Sequence, residues 1–104
     1  MTAALSMGTR RDGEGHLEMT VAGELDLSNI GRFETALQAA LAEAGAEELT
    51  RLDLRGVEYL DSAAINVLFA HAERIDRIVV HPLLMRGLTI SGLDQVVTLQ
   101  AAGS

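Results

Sequence analysis

The order in which hydrophobic periods change along the chain constrains its fold more than any other feature. Leu17, Met19 and Val21 alternate with His16, Glu18 and Thr20, the period-2 pattern of a half-buried strand. Gly23 breaks this run, and Glu24-Leu25-Asp26-Leu27 is read as its continuation after a bend. Ile30, Phe33, Leu37, Ala40, Leu41 and Ala44 then recur at spacings of three and four, which predicts an amphipathic helix. Ser28 and Asn29 are both capable of capping it, and Gly45 is a fitting stop. Leu49 to Leu54 returns to strand alternation, with Arg55-Gly56-Val57-Glu58 read as a loop beyond it. A second helix follows Asp61-Ser62, with an apolar stripe of Ile65, Leu68, Phe69, Ala72 and Ile75. Arg77-Ile78-Val79-Val80 reads as a strand buried on both faces and ended by Pro82. Met85, Leu88, Leu93 and Val96 mark a third helix, and Val97 to Leu99 a final short strand. Strands alternating with helices imply a largely parallel sheet with right-handed crossovers. The fold class is α/β.

At 104 residues the chain is expected to form one domain. Its 48% hydrophobic content is enough for a real core. Ahead of the first clear strand, Arg10 to Gly15 is polar and turn-like, and the residues before it either pair as a strand or fray. The net charge is −7, every basic residue is Arg, and no basic cluster larger than the Arg10-Arg11 pair occurs, which argues against nucleic acid or an anionic membrane as partner. No Cys is present, so disulfides and zinc–thiolate sites are excluded. Met1 to Ser6 lack a basic region followed by a long apolar run, so no signal peptide is expected, and no apolar run reaches the ~18 residues of a membrane span. The expectation is a soluble cytoplasmic domain with no membrane insertion and no cofactor.

The segment with most chemical content is Leu60-Asp61-Ser62-Ala63-Ala64-Ile65-Asn66, where a helix begins. Ser62 has two readings here. It is a common N-cap residue, and Asp61 beside it suits the helix dipole. It is equally an exposed hydroxyl where a phosphate would meet free N–H groups and a favourable dipole. Ser62, Asn66, Ala70 and Glu73 share the face opposite the apolar stripe. Glu24 and Asp26 form a bend approaching the first helix, or an acidic contact for a basic partner. His16, His71 and His81 have no metal-ligand spacing. Ser62 lacks a Gly-x-Ser-x-Gly elbow, and no glycine-rich phosphate loop is present, so the residues give catalysis no support.

Gly23-Glu24-Leu25-Asp26, Asp53-Leu54-Arg55-Gly56-Val57, Leu60-Asp61-Ser62 and Ser91-Gly92-Leu93-Asp94 occur in an order that resembles the STAS domain, and within it the bacterial anti-sigma-factor antagonists. The likeness covers about residues 16–100 of a single domain spanning 1–104. It implies a mixed, mostly parallel sheet of about four to five strands with about three to four helices. It further implies that Ser62 is phosphorylated by an anti-sigma factor that is itself a serine kinase. The unphosphorylated protein would bind that kinase and free a sigma factor, and a serine phosphatase acting on Ser62 would restore binding. Glu24, Asp26, Asp61, Ser62, Ala63, Ala64 and Asn66 would form the contact surface. Ala63 and Ala64 stand where the family usually has Ser or Thr and then Gly. The Glu73–Arg77 connection lacks the family's usual glycine, and Gly87 falls inside the third helix. A STAS subunit of a membrane transport system, bound without phosphorylation, is the alternative, with a signalling scaffold as the third option.

Overall fold

The computed structural model describes residues 4–103. Its elements are strands β1 (Ser6–Arg11), β2 (Leu17–Leu25), β3 (Thr50–Leu60), β4 (Ile75–Val80) and β5 (Thr98–Ala101), with helices α1 (Ile30–Ala44), α2 (Ser62–Ala70) and α3 (Pro82–Ser91). The five strands lie in sequence order in one sheet. β1 pairs antiparallel with β2, and the other three pairings are parallel. Each β–α–β connection moves one strand in the same direction, so right-handed crossovers put all three helices on one face. Against that face pack Leu17, Met19, Val21 and Leu25 of β2, Leu52, Leu54 and Val57 of β3, and Ile78 and Val80 of β4. The helices cover them with Phe33, Leu37, Ala40 and Leu41, then Ala64 and Leu68, then Leu88. No helix among the described residues is long and apolar enough to cross a membrane.

Among the described residues, the opposite face of the sheet carries no helix. Pairing aligns Arg10, Glu18, Arg51 and Arg77 in one row across four strands. Ion pairs Arg10–Glu18, Arg51–Asp12, Arg51–Asp76 and Arg55–Asp53 tie this side together. The Arg77–Val80 run is therefore buried on one face only, since Arg77 and Val79 keep partial exposure on the open side.

Several boundaries depart from the sequence reading. Arg55–Glu58 is not a loop. β3 runs through it, pairing Gly56 with Ala22 and Val57 with Gly23. A side chain at Gly56 would place its Cβ 2.8 Å from that of Ala22, so glycine here permits strand approach rather than a turn. Gly23 does not end β2 either; it sits at φ +112, and a Cβ there would lie 2.6 Å from the Ala4 carbonyl oxygen. α2 stops at Ala70, so Ala72 lies in a 3₁₀ turn (Ala72–Arg74) and Ile75 opens β4. This turn needs no glycine: the Arg74 guanidinium donates to the carbonyls of Leu41 and Gly45 at 3.0 and 2.8 Å, closing the end of α1. Pro82 begins α3 rather than merely ending β4, and Gly92 stops it in the left-handed conformation. Leu93 therefore falls in a second 3₁₀ turn and Val96 is half exposed, outside the core. Neither Ser28 nor Asn29 caps α1 through its side chain.

Candidate functional site

Because β2, β3 and β4 are parallel neighbours, the segments following them emerge at the same edge of the sheet. These are Asp26–Asn29, Asp61-Ser62 and His81–Leu83. β3 is the middle strand, so Ser62 stands between the other two.

Asp61, not Ser62, is the N-cap of α2. Its backbone is extended, and its carboxylate Oδ1 accepts from the Ala64 N–H at 3.1 Å. Oδ2 accepts from the Leu27 N–H at 3.0 Å, in the loop after β2. The Asp61 N–H donates to the Leu25 carbonyl at 3.2 Å. Ser62 is thus left as the first helical residue, exposed, with no capping duty. Asn66 lies exposed one turn further on, and Ala63 is half-buried between them. Ala64 corrects the sequence reading: its methyl is wholly buried in the core and does not belong to a contact surface.

Glu24 and Asp26 reach the same edge, both half-buried. Asp26 Oδ1 accepts from the Ser28 N–H at 2.9 Å and from the Ser28 hydroxyl. Asn29 turns back on the loop, accepting from the Asp26 N–H at 3.0 Å and donating to the Glu24 carbonyl at 2.8 Å. These bonds explain why the Asn29 side chain does not cap α1. They make Asp26 part of a stitched turn, while Glu24 keeps a carboxylate free of ion pairs among the described residues.

Two residues that sequence reasoning missed frame the site. Leu27 is 76% exposed at the loop tip, and Leu83 is 84% exposed at the start of α3. A shallow dent of about 140 Å³, lined by Leu60, Ile65, Leu83, Leu84, Gly87 and Leu88, lies between β3, α2 and α3. The available signal was an apolar residue set directly beside capping residues and off any buried stripe. His81 is not part of the surface chemistry: its Nδ1 accepts from the Leu83 N–H at 3.1 Å and caps α3. His71 meets Glu34 at 3.1 Å across α2 and α1.

The arrangement offers an exposed hydroxyl at a helix start, an acidic margin and two bare leucines. Residues 8–100 match the family model described as "Mlab, STAS domain". The chain belongs to the STAS-domain family. Among solved structures, this STAS domain is similar to an anti-sigma factor antagonist from Mycobacterium paratuberculosis, with a TM-score of 0.75 and 27% identity over 91% of this chain and 86% of that one. It also shares its fold with an uncharacterized protein of the DUF3478 family, described as SpoIIAA-like, from Shewanella loihica PV-4. There the TM-score is 0.67 at 13% identity, over 100% of this chain and 90% of that one. No curated protein sequence matches this chain.

Proposed function

We propose that this STAS domain is an anti-sigma factor antagonist that acts in the cytoplasm by binding and catalyses nothing itself. Unphosphorylated, it docks on an anti-sigma serine kinase and releases a sigma factor. Phosphorylation of Ser62 by that kinase ends docking, and a serine phosphatase restores it. The observation that carries this reading is the division of labour at the start of α2. Asp61 holds the helix, so the Ser62 hydroxyl is exposed and modifiable without loss of a cap. Similarity to the mycobacterial antagonist over most of both chains supports the same reading.

A phosphate brings about −1.5 to −2 charges beside Asp61, where the N–H groups of the first helical turn tolerate it in the free protein. In a closed interface the same charge must lose its water. An unpaired buried charge costs about 3–5 kcal/mol, a hundredfold or more in affinity. Calorimetry against the kinase with four proteins tests this. Ser62→Ala is expected to bind like wild type and to stay bound in the presence of ATP. Ser62→Asp, with one charge, weakens binding by less than the phosphoprotein does. Equal affinity across all four, each folded by circular dichroism, would instead favour an unphosphorylated subunit of a membrane transport system or a signalling scaffold.

A further inference from the structure

The carboxylate of Asp61 does more than cap α2. Its second oxygen holds the Leu27 N–H at 3.0 Å, across 34 positions of sequence. Leu27 is the tip of a loop whose other bonds are internal, from Asp26 and Asn29. Nothing among the described residues covers its side chain, which is 76% exposed. We propose that Leu27 is an apolar anchor of the docking surface and that Asp61 is its positioning residue, fixing the anchor in register with Ser62. This rests on the docking reading above. An anchor contributes most when its backbone is already held in the bound arrangement, because less freedom is lost on association. Asp61 supplies that hold with the same carboxylate that starts the helix bearing Ser62, so anchor and switch share one fixed point.

The substitution Asp61→Asn isolates this role. Asparagine caps helices about as well as aspartate, so one amide oxygen still accepts from the Ala64 N–H. Its NH₂ group then opposes the Leu27 N–H and cannot accept from it. The full chain is compared as wild type, Leu27→Ala, Asp61→Asn and the double variant, by calorimetry against the anti-sigma kinase. Amide hydrogen exchange is followed in the free proteins. Leu27→Ala is expected to weaken binding about tenfold and Asp61→Asn about three- to tenfold. In Asp61→Asn the Leu27 amide exchanges faster while Ala64 keeps its protection. The double variant binds within about twofold of Leu27→Ala alone, because a positioning residue has nothing left to position. A merely structural Asp61 would give additive losses, and additivity overturns the proposal. Undiminished affinity in Leu27→Ala also overturns it, while leaving the docking reading intact. Failure of the wild-type chain to bind the kinase overturns both.

Discussion

Asp53 illustrates how a single residue can contradict strand alternation without breaking the fold. It points to the open side of the sheet, where a carboxylate would normally be hydrated, yet it is almost fully buried. The Arg55 side chain lies over it, with Nη2 2.8 Å from Oδ2 and Nε 3.0 Å from Oδ1, and the Arg55 N–H donates to the same carboxylate. Burial by itself pushes the Asp53 carboxyl up, but the bonds and charge of Arg55 outweigh it and hold the group below the usual carboxylate range. Asp12 and Glu48 are shifted the same way, chiefly by the backbone N–H groups of His16 and Leu17 respectively. A carboxyl that titrates lower in the folded chain binds fewer protons there than in the unfolded chain. Its stabilisation is present above the ordinary carboxylate value and is lost as pH falls through the lowered one. The melting temperature of wild type should therefore drop steeply below about pH 4. In Asp53→Asn that drop should be shallower, because one of the three contributing groups is gone. Parallel melting curves for the two proteins between pH 3 and 7 would contradict this account of Asp53.

At the scale of elements, α2 shows why Ala64 belongs to stability and not to recognition. Its methyl is fully buried and its N–H is taken by Asp61. Ala64→Gly removes a buried methyl, worth about 0.8 kcal/mol, and raises backbone entropy within a helix. The expected loss is about 1–2 kcal/mol of folding stability, with kinase affinity unchanged within about twofold. Thermal melting and calorimetry check the two halves, and tighter binding would show that the methyl obstructs the partner after all. The same helix marks where sequence periodicity is informative. α1 was legible because fifteen residues sustain one stripe without interruption. In α2 the helical spacing runs on through Ala72 and Ile75, although a 3₁₀ turn and a strand carry them. At Gly56 the sequence suggests a loop, because what requires the glycine, close approach to Ala22, involves a strand distant in sequence. The Asp-Ser pair was visible as a resemblance. Leu27 and Leu83 were not, because an exposed leucine and a buried one are the same letter, and only the packed chain separates them.

Over the whole molecule, charge is sorted by face. Arg10, Arg51, Arg55 and Arg77 are matched on the open side of the sheet by Glu18, Asp12, Asp76 and Asp53. These groups cancel, so the net charge of −7 is carried by the remaining charged groups. Glu24, Asp26, Asp61 and the exposed Glu58 lie at the edge that presents Ser62. A partner approaching that edge meets a negative field, and its docking surface should carry Arg or Lys. Such a field acts mainly on the rate of encounter, since rim charges remain solvated in the complex. Its reach shrinks from about 30 Å at 0.01 M salt to about 8 Å at 0.15 M. Association with the kinase, measured by stopped flow, should therefore slow by roughly three- to tenfold over this range, with little change in dissociation. Glu24→Gln removes one charge from the rim without disturbing its neighbours, because the Asn29 bond is to the Glu24 backbone carbonyl rather than to its carboxylate. It should flatten the salt dependence, whereas neutralising the matched pair Arg10–Glu18 on the open face should leave it unchanged. An association rate indifferent to salt would mean that the acidic edge does not guide the partner. The two leucines would then have to account for recognition without it.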